Sequence, residues 1–223
     1  MLTGAGGGVG ACVARILAAE GAHLVLVDRS EAGARELARE VAEAHAFGAD
    51  LSREDEVARL VARALERVGR IDALVHLAGG YAGGADVVAT ELEVWDRMLS
   101  VNLRSALLTI RAVLPSMLER GRGKIVTVGS RAAFEPSPNA GAYAVSKAAL
   151  IKLTEVLAAE LRDRNVQVNA IAPSVIDTPA NRRSMPKADP ATWVRPEQIA
   201  QAVVFLLESD AVTGDVLKVY GRA

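Results

Sequence analysis

Thr3-Gly-Ala-Gly-Gly-Gly-Val-Gly10 runs directly into a segment of helical period that stops at Gly21. His23-Leu-Val-Leu-Val-Asp28 follows, an apolar, β-branched run that reads as a buried parallel strand ending in an acid. A glycine turn lets backbone approach a pyrophosphate, and the helix behind it offers free amides and the positive end of its dipole. Asp28 lies 20 residues beyond Gly8, where a carboxylate accepts hydrogen bonds from adenosine ribose hydroxyls. A dinucleotide cofactor is therefore expected. Asp28 repels a 2′-phosphate and Arg29 is the one nearby cation, so NAD(H) is favoured, with NADP(H) as the alternative.

The remaining chain alternates strand and helix patterns, which implies an α/β fold: a Rossmann-type, doubly wound parallel sheet with helices on both faces. Residues 30–44 read as a helix, 47–50 as the end of a short strand, and Ser52-Arg-Glu-Asp55 as a capping box opening a helix to about Val68. Residues 71–77 form another buried strand, delivering Ala78-Gly79 to the carboxyl edge where ligands bind. Asp50 serves either the adenine amine or a turn. A long helical pattern over 92–118 carries Asn102 at mid-helix. That amide either holds a water beside Lys147 and distorts the helix, or bonds a neighbouring helix.

With 223 residues, 51% hydrophobic and a net charge of −1, one domain spanning 1–223 is expected, with neither nucleic acid nor membrane as partner. The lone Cys12 forbids an internal disulfide, and three scattered histidines lack ligand spacing, so no metal site is expected. A cytoplasmic location follows from the same reading. Only Met1 and Leu2 precede the glycine turn, too few for a central strand, so further strand residues are expected upstream.

The chemistry concentrates in 129–147. Residues 124–128 read as a buried strand, Ser130 stands at its end, and a helix carries Tyr143 and Lys147 four residues apart on one face. A cation one turn away lowers a tyrosine pKa from its usual value of about 10, which suits proton transfer to or from a carbonyl or alcohol.

Taken together, Thr3-Gly4…Gly8-x-Gly10, Leu77-Ala78-Gly79, Asn102, Ser130, Tyr143-x-x-x-Lys147 and Pro173…Thr178 resemble the short-chain dehydrogenase/reductase family along essentially the whole chain. The resemblance implies a catalytic tetrad of Asn102, Ser130, Tyr143 and Lys147, with Tyr143 as general acid or base. It implies cofactor contacts from Thr3, Gly4, Gly8, Val9, Gly10, Asp28, Arg29, Asp50, Leu51, Ala78, Gly79, Tyr143, Lys147, Pro173, Ile176 and Thr178. It also implies a homotetramer or homodimer. Substrate contacts are expected from Tyr81, Ala132 and Trp193, beneath an irregular lid around 179–195.

The departures from the family pattern are His76-Leu77 before Ala78 and Ser174 after Pro173. Residues 78–84 and 177–189, with Trp193, resemble the quinonoid dihydropteridine reductase branch, which implies an NADH-dependent pterin reductase lacking a catalytic serine. Two alternatives therefore accompany the leading reading of an NAD(H)-dependent carbonyl/alcohol oxidoreductase. One is that pterin reductase; the other is a non-catalytic NAD-binding regulatory protein.

Overall fold

The computed structural model describes residues 1–222; Ala223, the last residue of the expected domain, lies outside them. Among the described residues, seven strands form one parallel sheet: β1 (Leu2–Thr3), β2 (Leu24–Asp28), β3 (Ala44–Gly48), β4 (Ala73–His76), β5 (Gly123–Val128), β6 (Val166–Pro173) and β7 (Val216–Val219). Their spatial order is β3-β2-β1-β4-β5-β6-β7. The order reverses beside β1, the switch point at which such sheets open a crevice for ligands.

Successive side chains of a strand face opposite layers, and β2, with Leu24 and Leu26 on one face and Val25 and Val27 on the other, is apolar on both. Val25, Val27 and Ile125 pack towards α3 (Glu54–Val68), α5 (Ser105–Arg120) and α6 (Gly141–Glu160). Leu24, Leu26 and Val126 pack towards α1 (Gly8–Ala19) and α8 (Pro196–Glu208). The helices supply matching stripes. In α3, Val57, Leu60, Val61 and Ala64 are buried, Glu54, Asp55 and Glu56 complement the dipole in the first turn, and Gly69 ends the helix at positive φ.

In β1, Leu2 pairs with Leu26 and Val75, and Thr3 with Val27 and His76. Three expectations are corrected. The helix expected to reach residue 44 is α2 (Glu31–Glu40), and residues 44–48 instead pair with the whole of β2. Strand pairing there overrides the helix propensity of an Ala/Glu-rich segment. Ser52 does not cap α3; its hydroxyl donates to Asp50 Oδ1 at 2.6 Å, and Arg53 occupies the cap position. The long helix is divided into α4 (Leu92–Leu99), a π-helical turn (Ser100–Arg104) and α5. Asn102 lies in that turn, so the helix is distorted where the mid-helix amide suggested.

Among the described residues, no helix is long and apolar enough to cross a membrane, and no cluster of His, Cys, Asp or Glu could hold a metal ion.

Candidate active site

The glycine turn is forced by contact. Gly4 takes a φ of +68°, and a Cβ there would lie 2.9 Å from the Ala78 amide nitrogen. A Cβ on Gly10 would fall 2.1 Å from the Gly4 carbonyl oxygen, so α1 sits directly upon the turn. Gly7, at the cap position of α1, carries no side chain to occupy the first-turn amides. Asp28 reaches back to the turn, where its Oδ2 accepts the Gly6 N–H at 2.9 Å.

A crevice of about 900 Å³ extends from these residues, lined by Gly4, Gly6, Asp28, Arg29, Asp50, Leu51, Ala78, Gly79 and Tyr81 among others. A second cavity, of about 340 Å³, is bounded by Gly4, Gly8, Val9, Gly10, Leu77, Thr178 and Arg183. Asp50 is held in a local turn: Ser52 donates from both its hydroxyl and its backbone to Oδ1, which lowers the carboxyl pKa. Thr3 is buried beneath the crevice and Pro173 ends β6. Ile176 pairs with Val194, and its carbonyl accepts from Asn181 Nδ2 at 2.8 Å. The Thr178 hydroxyl accepts the Asn181 N–H at 3.2 Å as the cap of α7 (Pro179–Ser184). Residues 179–195 are thus partly helical rather than wholly irregular. Backbone-lined glycines, open first-turn amides and a distal carboxylate suit an elongated ligand carrying phosphates at α1 and hydroxyls at Asp28.

Beside Gly79 and Tyr81 of the crevice wall, β5 and α6 bring the remaining groups together. Tyr143 stands beside Ser130, which favours its phenolate, and Ser130 Oγ accepts the Ala132 N–H at 3.2 Å. Lys147 is buried and donates to the Val128 carbonyl at 2.7 Å. Burial brings its ammonium down from 10.5 to about 8. The Tyr143 phenol moves the opposite way from expectation. Burial raises it, Ser130 only partly offsets that rise, and Tyr81 adds to it.

Asn102 does not bond Lys147. Its Oδ1 accepts the Gly80 N–H at 2.9 Å, while Nδ2 donates to the Gly80 carbonyl at 3.0 Å and to Ser146 Oγ at 2.9 Å. Ser146 Oγ in turn donates to the Tyr143 carbonyl at 2.7 Å. Gly79 threads between these groups: a Cβ there would lie 2.7 Å from Asn102 Oδ1 and 3.3 Å from Lys147 Nζ. Sequence reasoning missed Ser146. The one signal for Ser146 was its place three residues beyond Tyr143 on the buried side of α6.

Of the expected substrate residues, Tyr81 stands edge-on to Tyr143, with ring centroids 5.0 Å apart at 69°. It is 69% exposed and so forms an outer wall over the phenol. Ala132 lies in the short 3-10 turn after Ser130. Trp193 is 6% exposed, since the pairing of Val194 with Ile176 draws it into the body of the protein.

A family model described as short chain dehydrogenase matches residues 1–189. A 3-oxoacyl-[acyl-carrier-protein] reductase from Thermotoga maritima is 32% identical over 235 residues, covering 99% of this chain and 95% of that protein. The solved 3-ketoacyl-(acyl-carrier-protein) reductase from Brucella melitensis, complexed with NADH, is 33% identical with a TM-score of 0.89, covering 99% of this chain and 96% of that one. The structure of ElxO with NADP bound superposes with a TM-score of 0.93, covering 99% and 96%; at 22% identity that likeness shows the fold alone. Family model, relatives and fold agree: this chain belongs to the short-chain dehydrogenase/reductase family, whose members are NAD(P)-dependent oxidoreductases of CH–OH and carbonyl groups.

Proposed function

We propose that the protein is an NAD(H)-preferring oxidoreductase of a small carbonyl or alcohol compound, with Tyr143 moving the proton. The observation that carries this reading is the gathering of Ser130, Tyr143 and the buried Lys147 beside Gly79 and Tyr81 of the crevice wall. Bound nicotinamide would supply or accept the hydride. The chain's own residues do the rest. Burial keeps the Tyr143 phenol protonated at neutral pH, ready to donate to a carbonyl oxygen that Ser130 orients. Lys147, anchored on the Val128 carbonyl one helical turn away, places a cation where a phenolate develops. Asn102 holds the Gly80 peptide and, through Ser146, the backbone of Tyr143.

The preference for NAD(H) rests on Asp28, whose carboxylate lines the crevice and would face a 2′-phosphate. The Ser130–Tyr143 pair favours a carbonyl substrate over the pterin, for which the serine is not needed, and over a regulatory protein, which needs neither residue. The 179–195 segment, which pairs Val194 with Ile176 beside the crevice, serves in this reading as a substrate lid. A homotetramer or homodimer, formed through outer positions of α6 such as the exposed Val145 and Val156, completes the proposal, and a cytoplasmic location is its natural setting.

Replacing Tyr143 by Phe tests the assignment. Turnover should fall about 10²- to 10⁴-fold, with NADH affinity within about twofold of wild type. Unchanged turnover would remove Tyr143 from the role.

A further inference from the structure

We propose that His76 is a positioning residue, a neutral imidazole whose two nitrogens tie the wall of the crevice to the π-turn that carries Asn102. The ring is buried, and each nitrogen has a partner: Nδ1 lies 3.1 Å from Thr3 Oγ1, and Nε2 lies 3.3 Å from Ser105 Oγ. Counting hydrogens assigns the tautomer. Ser105 Oγ spends its one hydrogen on the Val101 carbonyl at 2.7 Å, so it can only accept from the ring, and Nε2 carries the proton. Nδ1 must then accept, and the Thr3 hydroxyl donates to it while its oxygen receives the Ala78 N–H at 3.2 Å.

The result is one directed chain with every hydrogen used once: Ala78 N–H to Thr3, Thr3 to His76, His76 to Ser105, and Ser105 to Val101. Its two ends matter for the site. Ala78 precedes Gly79, which passes against Asn102 and Lys147. Val101 precedes Asn102 in the π-turn, and both Ala78 and Val101 line the crevice. The rigid ring therefore sets the spacing between the crevice wall and the asparagine turn. Burial, reinforced by the Lys147 charge, keeps it neutral by lowering its pKa from 6.5 to about 3.

The kinetic tests rest on the proposed function, whereas the tautomer test does not. Histidine-selective ¹⁵N NMR of the wild-type protein, with His76 identified by its absence from a His76→Asn variant, should show Nε2 protonated and Nδ1 bare near neutral pH. A proton on Nδ1 overturns the proposal, even where the variants fold poorly.

The two variants divide the chain, because Asn places its amide near the Nδ1 position and Gln near the Nε2 position. His76→Asn keeps the Thr3 contact and loses Ser105; its kcat should fall about tenfold, with the NADH Kd within about twofold. His76→Gln keeps Ser105 and loses Thr3; its NADH Kd, read by fluorescence titration, should rise about fivefold. Folded variants with wild-type Kd and kcat would mean a role in stability only and would sink the idea. If wild-type protein binds NADH but reduces no carbonyl compound, the proposed function fails, while the tautomer and the Kd still decide the role of His76.

Discussion

Asn102 satisfies both hydrogen-bonding groups of the Gly80 peptide, accepting its N–H at 2.9 Å and donating to its carbonyl at 3.0 Å. The side chain thereby mimics a strand partner for a loop that has none. The loop after β4 is locked to the π-turn, and Gly79 is held against Lys147. A regular α-helix would carry position 102 at a different angle; the widened turn aims the amide at Gly80 and at Ser146 together.

Replacing Asn102 by Ala leaves two Gly80 backbone groups without that partner, at a cost of about 1–3 kcal/mol. The melting temperature should drop by several degrees, and kcat should fall further than that loss of stability explains. A variant that melts lower but turns over normally would restrict Asn102 to a structural part.

Asp28→Asn retains an acceptor for the Gly6 N–H and removes the charge. The ratio of kcat/KM for NADPH to that for NADH should rise about tenfold or more. A flat ratio would show that some other group discriminates between the cofactors.

Two glycine substitutions should act in opposite directions. Gly10→Ala forces a Cβ to 2.1 Å from the Gly4 oxygen and should destabilise the protein by about 3 kcal/mol or more while weakening NADH binding. Gly33→Ala lies inside α2 with nothing within 4 Å, and should stabilise by about 0.5–1 kcal/mol. Differential scanning calorimetry of both variants checks the pair.

His76 should leave a signature in acid stability. As pH falls, the unfolded imidazole takes a proton near 6.5, whereas the buried ring does so only near 3. The unfolded state therefore binds more protons across this window. Stability contributed by the neutral ring is complete above the window and is lost towards its lower end, by about 5 kcal/mol at most. Urea unfolding at a series of acidic pH values should show a shallower loss for His76→Asn than for wild type. Parallel slopes would mean that the ring does not remain neutral.

The sheet and its ligand edge were legible because both-face burial writes itself as continuous apolar runs, and because glycines and an acid at fixed separation mark the first crossover. The positions of Ser130, Tyr143 and Lys147 followed from strand end and helical spacing in the same way. What could not be read depended on partners distant in the chain. Helix α2 ends early only because β3 must match β2. Trp193 is carried inward by the pairing of Val194 with Ile176. The direction of the Tyr143 shift reversed because burial, invisible in a spacing argument, exceeds the lowering that Ser130 supplies. The partners of His76, at positions 3 and 105, are likewise brought to it only by the fold.

The most direct test of the central claim is loss of NADH absorbance when purified protein meets a panel of ketones and keto-esters, beside a freshly generated quinonoid dihydropterin, with NADPH run in parallel. The account predicts consumption of NADH with carbonyl compounds, faster than with NADPH, while the pterin stays idle. Turnover of the pterin alone, or of nothing in the panel despite tight NADH binding, would contradict it.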